Sequence, residues 1–288
     1  MKDAVGEASK RTVMLVGWIA VLILGLWVVS PSARTWYIEP DGTGDAPTIQ
    51  AGVDSAALGD IVLVAAGTYE IDPYIRMKGG ITVTAESGPY QTKIVPAPAA
   101  NPFGAFYCQD IAGAGPTEIT GFWIEGFVRI GDPSHKGCGI LLMVCGEMNV
   151  TNNVITGNGV GIAGLLTSGD SVWIRNNTLI GNGSGVNVSG LYCQFNIIWD
   201  TNDGTCIVGF FNNLLNLSES CQPAANFSQD PQFCGPSAGN YYLQSDSPCA
   251  PGLSPFPDVG LIGALPVGCA TVKAESKTWG AIKDLYRQ

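Results

Sequence analysis

The chain has 288 residues, 13% of them charged, with 38 Gly, 18 Pro and a net charge of −10. A hydrophobic fraction of 46% excludes disorder as the reason for so much glycine, and 14 Lys and Arg against that negative balance argue against a nucleic-acid partner. What remains is a chain long enough to bury a sizeable core, built from many short strands joined by tight turns.

At the N-terminus Lys2, Lys10 and Arg11 precede an apolar run over residues 12–29, and Ser30-Pro-Ser-Ala33 follows it. This is the plan of a secretory signal peptide, expected to be removed after Ala33, although Pro31 departs from the small residue usual at its position. The alternative is a retained N-terminal anchor, and any membrane contact is expected only through this segment. Either way the rest of the chain is expected outside, secreted or attached to the cell envelope.

Trp36-Tyr-Ile38 then predicts a strand, and Pro47 opens a short amphipathic helix with Ile49 and Val53 on one face. Gly59-Asp60 ends it, and Ile61-Val-Leu-Val64 begins a buried strand closed by Gly67-Thr-Tyr-Glu70. A helix here is placed to cover the open end of whatever sheet follows.

The middle of the chain repeats. Ile119-Thr-Gly-Phe-Trp-Ile124, Val150-Thr-Asn-Asn-Val-Ile155, Ile174-Arg-Asn-Asn-Thr-Leu179, Cys193-Gln-Phe-Asn-Ile-Ile198 and Phe210-Phe-Asn-Asn-Leu-Leu215 are apolar at their first and sixth positions. Four of them carry Asn at the fourth position: Asn153, Asn177, Asn196 and Asn213. A second series alternates with the first: Gly137-Cys-Gly-Ile140, Gly159-Val-Gly-Ile162, Gly185-Val-Asn-Val188 and Thr205-Cys-Ile-Val208. Its apolar residues recur every second position, the mark of a strand with one buried face. Successive Asn segments begin 31, 24, 19 and 17 residues apart, unequal steps that suit a solenoid whose loops vary while its strands keep register. Asn suits the bend between two strands because it tolerates a left-handed backbone, and stacked amides bond along the axis. The four Asn are therefore expected in one ladder.

After about residue 222 the repeat stops. Asp230-Pro-Gln-Phe-Cys234 through Asp246-Ser-Pro-Cys249 is rich in turn residues, and Leu261-Ile-Gly-Ala-Leu265 predicts one last apolar strand. Beyond a polar linker, Trp279, Ile282 and Tyr286 have helical spacing. That ending is either an export or envelope-attachment signal or a short helix docked on the last coil. The expected organisation is 1–33 signal or anchor, 34–222 solenoid, 223–270 irregular Cys-containing region, and 271–288 linker and terminal amphipathic segment.

The run Asp41-Gly-Thr-Gly-Asp-Ala-Pro-Thr-Ile-Gln-Ala-Gly-Val53 with Gly59-Asp-Ile-Val-Leu-Val-Ala-Ala-Gly-Thr-Tyr69 resembles the opening of pectin-lyase-like right-handed β-helix proteins, and is close to the first coil of pectin methylesterases. The later Asn-Asn-x-Ile-x-Gly-Asn stretches are similar to the parallel β-helix repeats of secreted bacterial proteins. Some of those proteins also share the Asp-Pro-x-Phe-Cys and Leu-Ile-Gly-Ala pattern and an aromatic-basic ending. The resemblance implies an all-β, right-handed parallel β-helix solenoid with a short N-terminal capping helix. It says little of activity, since such folds include lyases, hydrolases, esterases, epimerases and inert surface proteins.

Chemistry-bearing residues are sparse. The methylesterase patterns Asp-Phe-Ile-Phe-Gly and Leu-Gly-Arg-Pro-Trp are missing, as is the Asp-Pro-His-Asp expected of alginate epimerases. Glu118, Glu125, Glu147, Asp170, Asp200 and Asp203 do not recur at one repeat position, and the lone His135 lies in a turn. No CxxC pair occurs, so zinc is not expected and no metal ligands are assigned. Calcium is the one ion left open, because lyases of this superfamily hold it between carboxylates. A binding patch is better supported. If the first residue of each Asn segment points inward, its neighbours point outward, which sets Trp173 beside Tyr192 and Arg175 beside Gln194 on adjacent coils. Flat aromatics flanked by polar groups suit the sugar rings of a polysaccharide or surface glycan; the alternative is that the tail from residue 222 covers them. The leading reading is a non-catalytic glycan-binding or structural protein. The rival is a polysaccharide lyase or esterase, distinguished by three clustered carboxylates, or a carboxylate beside Lys or Arg, in one groove.

Nine cysteines in an exported chain predict disulfides. The repeat places Cys138, Cys193 and Cys206 in core columns, unpaired. Cys221 with Cys234 and Cys249 with Cys269 are the simplest pairs in the tail, and Cys108 with Cys145 is a further possibility.

Overall fold

The computed structural model describes residues 32–98, 100–111, 115–129, 137–188, 191–199, 210–211, 213–215 and 226–269. Residues 1–31 of the expected signal or anchor, the terminal helix, His135, Asp200, Asp203, Cys206 and Cys221 lie outside the described residues. Among the described residues, no helix is long and apolar enough to cross a membrane.

After β1 (Thr35–Ile38) and α1 (Ile49–Ser55), the chain winds through coils of three strands each. The first holds β2 (Ile61–Val64), β3 (Gly67–Ile71) and β4 (Ile75–Arg76); the second β5 (Thr82–Ala85), β6 (Thr92–Pro96) and β7 (Gly104–Gln109). The third holds β8 (Thr117–Thr120), β9 (Trp123–Glu125) and β10 (Cys138–Met143); the fourth β11 (Glu147–Thr151), β12 (Val154–Thr156) and β13 (Val160–Leu165). β14 (Ser171–Arg175), β15 (Thr178–Ile180) and β16 (Val186–Asn187) complete the fifth. β17 (Tyr192–Gln194), β18 (Ile197–Trp199), β19 (Phe210–Phe211) and β20 (Leu214–Leu215) carry the stack further, and β21 (Phe233–Gly235) with β22 (Asn240–Leu243) make an antiparallel hairpin. First strands of the coils together with β1 form an eight-stranded sheet A, second strands a seven-stranded sheet B, and third strands a five-stranded sheet C. Every pairing described within these three sheets is parallel, and the chain is a right-handed parallel β-helix.

Each coil has three strands, one in each sheet. Each Asn segment is a corner, its first half in sheet A and its second half in sheet B. The inward column of sheet A runs Val62, Val83, Ile119, Val150, Ile174 and Cys193, all with no exposed surface. Burying each aliphatic side chain contributes on the order of 1.5–3 kcal/mol before chain entropy is counted.

At the corner the four Asn form the expected ladder. Asn153, Asn177, Asn196 and Asn213 are fully buried. Each amide oxygen from Asn177 onward accepts from both the backbone N–H and the Nδ2 of the Asn one coil earlier, at 2.9–3.1 Å. Asn226 extends the ladder in the same way beyond the last repeat. A second ladder, missed in the repeat pattern, joins Asn158 to Asn182 at the bend between sheets B and C. The left-handed residue is not the ladder Asn, as its backbone preference suggested, but the one before it: Asn152, Asn176 and Phe195, with φ of 55°, 53° and 58°. The preceding residue makes the turn and the ladder Asn satisfies the backbone groups that the turn frees.

At the N-terminal end Thr48 caps α1, its Oγ1 accepting from Ala51 N at 3.1 Å. A Cβ on Gly52 would lie 2.7 Å from Ile38 Cδ1 and 3.2 Å from Val62 Cγ1, so glycine lets the helix rest directly on β1 and β2. Asp60 stitches this end by accepting from the N–H groups of Arg34 and Ala57 and from Trp36 Nε1.

The C-terminal region packs on the outer face of sheet B. Trp123, Val154 and Ile197 point outward there and meet Leu265, Phe233 and Ile262. Tyr241 stacks on Trp123 with ring centroids 5.5 Å apart, and Tyr90 OH donates to Gly239 O at 2.8 Å. Residues 261–265 are not the strand that their apolar run suggested: they bend, with Gly263 (φ 92°) so close to Ile197 that a Cβ would lie 2.6 Å from its Cδ1.

The cysteines correct the expected tail pairing. Cys234 bonds Cys269 with Cα atoms 5.3 Å apart, while Cys249 is a free, buried thiol. Proximity in sequence misled here because β21 and the end of the described tail are brought together across β22, where Gly268 N donates to Leu243 O. Cys138 and Cys193 are free and buried as the repeat required, and Cys108 and Cys145 are free and buried too, so the possible pair between them is not formed.

Candidate functional site

Strand alternation lays two outward ladders on sheet A. One passes through Glu118, Asn149, Trp173 and Tyr192, the other through Thr120, Thr151, Arg175 and Gln194. Ile174 and Cys193, fully buried between them, fix the two strands from the core side. The structure thus brings Trp173, Arg175, Tyr192 and Gln194 together on one face. The Trp173 and Tyr192 rings stack at 4.3 Å with 17° between planes, and Arg175 Cζ lies 3.8 Å from the centre of the Trp173 ring. Arg175 Nε is buried with no hydrogen-bond partner. Tyr192 keeps 47% of its surface exposed. Among the described residues, the apolar side chains of the tail pack on sheet B rather than on this patch. Trp173 is half-buried between Tyr192 and Arg175, so Tyr192 offers the more accessible aromatic surface.

The carboxylates of the repeat are dispersed. Glu118 Oε1 lies 2.8 Å from Thr151 Oγ1; Glu125 accepts from Trp123 Nε1 and pairs with Lys93 at 3.6 Å; Asp170 accepts from the N–H groups of Gly146 and Thr167. Among the described residues no three His, Cys, Asp or Glu side chains come together as metal ligands.

One mixed-charge groove does exist, at the helix-capped end. An open cleft of 520 Å³ is lined by Asp54, Asp110, Arg76, Lys78 and Gln109. Lys78 Nζ is committed to carbonyls at the end of α1, 2.5 Å from Ala56 O and 3.4 Å from Asp54 O. Arg76 is exposed, its backbone N–H held at 2.7 Å by Gln50 Oε1. Tyr107 stands beside Arg76 in register and donates to Gln109 Oε1; burial, with the neighbouring Tyr74 adding to it, raises its hydroxyl pKa. Sequence spacing missed this groove because a helix, a two-residue strand and the turn after β7 supply its groups.

No protein-family model matches the chain, and no curated protein matches it. Among solved structures, the pectate lyase Pel9A aligns at 14% identity over 83% of this chain and 98% of that chain, with a TM-score of 0.36.

Proposed function

We propose that this is an exported, non-catalytic β-helix protein that binds glycan on the outer face of sheet A. The observation that carries the reading is the Trp173–Tyr192 stack, its Tyr192 ring exposed, with Arg175 and Gln194 beside it. Tyr192 offers an aromatic surface to the C–H face of a sugar, while Arg175 and Gln194 flank it with groups suited to ring oxygens and hydroxyls. The flanking strands hold these groups rigidly, which keeps the ordering cost of binding low. The apolar run at 12–29, with its basic flank, and the Cys234–Cys269 bond support delivery to an oxidising compartment. A glycan array probed with the parent protein and with Tyr192→Ala and Arg175→Ala tests the site. Binding by the parent that both variants lose supports the assignment; binding unchanged in Tyr192→Ala refutes it.

The groove of Asp54, Asp110, Arg76 and Lys78 favours one other reading, a polysaccharide lyase acting through a cation beside a carboxylate. Incubation with acidic polysaccharides and calcium decides it: release of unsaturated product, lost in Arg76→Ala, replaces the non-catalytic reading.

A further inference from the structure

We infer that a second site, for a neutral sugar, lies where the C-terminal region meets the outer edge of sheet B. It goes beyond the sheet A patch and shares no residue with it.

On sheet B the column Ile180–Trp199 lies at the margin of the tail's cover. Between it and the tail is a cavity of 340 Å³, within the roughly 300–1,000 Å³ of small-molecule sites. Ile180 and Phe233 form apolar walls and Trp199 an aromatic one, while Asp230, Gln232 and Gln244 supply the polar groups.

Gln232 is the unusual member. Its side-chain Oε1 is buried without any hydrogen-bond partner. Its backbone is left-handed, with φ of 51°, a conformation unfavourable for a side chain of this kind. The strain is held from both sides. Gln232 N donates to Asp230 Oδ1 at 2.8 Å, and Gln232 O accepts from Gln244 N at 2.9 Å. Pro231, the residue before it, is itself fixed where its carbonyl accepts from Ser247 Oγ at 2.7 Å. The fold therefore maintains an unfavourable backbone at a residue that lines the cavity and carries an unsatisfied buried acceptor. A buried acceptor left unpaired is a standing cost that a donor from a ligand removes.

The ligand follows from the lining. An amide oxygen and a carboxylate both accept, so the ligand must donate; hydroxyl groups do so without bringing charge. Apolar walls and an indole suit the C–H face of a pyranose. Among the described residues no Lys, Arg or His lines the cavity, and Asp230 opposes an anionic sugar. A neutral hexose or pentose unit, free or at a chain end, meets these conditions.

The test uses the purified full chain with methyl glucoside, galactoside, mannoside and xyloside and the corresponding tetrasaccharides, read by saturation-transfer NMR and calorimetry. At least one should bind, and Trp199→Ala and Gln232→Met should each weaken it tenfold or more. Because the acceptor is unsatisfied in the free protein, Gln232→Met should also raise the Tm. Absence of binding by every neutral sugar overturns the inference. So does undiminished binding by Gln232→Met, or a Tm that falls in that variant, which makes Gln232 a structural residue. Failure at sheet A registers separately, in Tyr192→Ala, so the two assignments stand or fall apart.

Discussion

Replacing Asn177 by Leu removes the second rung of the longer ladder while keeping a side chain of similar reach. In the folded protein Asn177 is fully buried, and its Oδ1 accepts from Asn153 N and Asn153 Nδ2 at 3.0 and 3.1 Å. Its Nδ2 lies 2.9 Å from Val150 O and from Arg175 O and 3.0 Å from Asn196 Oδ1. Several partners survive the change: Asn153 Nδ2 keeps Ile119 O, and Asn196 Oδ1 keeps the backbone N–H of residue 177. The Asn153 N–H loses its partner in the ladder inside the corner, at about 1–3 kcal/mol, and the other lost bonds add about 0.5–1.5 kcal/mol each in net terms. The total, about 3–9 kcal/mol, is comparable to the roughly 5–15 kcal/mol by which most domains are stable. Urea unfolding followed by circular dichroism measures it, with Asn149→Leu on the outer face of the neighbouring coil as comparison, expected to change stability by about 0.5 kcal/mol or less. Native-state hydrogen exchange at the Asn153 amide should accelerate in Asn177→Leu alone. A loss for Asn177→Leu no greater than for Asn149→Leu would refute the ladder's energetic role.

Three further outcomes follow from the same structure. Cys234→Ser should lower stability by up to about 4 kcal/mol on the loop-entropy estimate for a separation of 35 residues, and non-reducing peptide maps should link Cys234 to Cys269; a Cys249–Cys269 peptide contradicts the packing of the tail. Burial pushes the thiol pKa of Cys138 up to about 11 and that of Cys249 up to about 12, so both should resist iodoacetamide at pH 8 until urea is added, and rapid native labelling of either rejects its placement. Hydrogen bonds from the N–H groups of Ala57 and Arg34 lower the Asp60 carboxyl pKa, outweighing its burial. The stability it contributes is therefore complete above the unfolded value of about 4 and lost as pH falls through the lower folded value; Asp60→Asn should show a shallower acid limb, and an identical limb removes Asp60 from the acid response.

Local order was determined by the sequence itself. The alternation of Val, Ile and Leu, the Asn at fixed offsets and the helix signal at residues 47–53 specify strands, corners and a cap, because each depends on neighbours within a few residues or on a repeat that stacks on itself. For the same reason Cys138 and Cys193 were readable as core residues and Trp173 and Tyr192 as outward neighbours. The tertiary structure decided what has no period. Residues 226–269 pack by shape on sheet B rather than by repeat, so neither the Cys234–Cys269 bond nor the bend at Gly263 could be read from spacing. Asp230-Pro-Gln-Phe-Cys234 was legible as a turn. That it turns Gln232 left-handed beside Trp199, more than thirty residues earlier in the chain, was not. Likewise Asp54, Arg76 and Asp110 share a cleft only because helix α1 lies across the open end of the coil. Repetition makes a solenoid's body predictable; its ends and its cover depend on contacts made once.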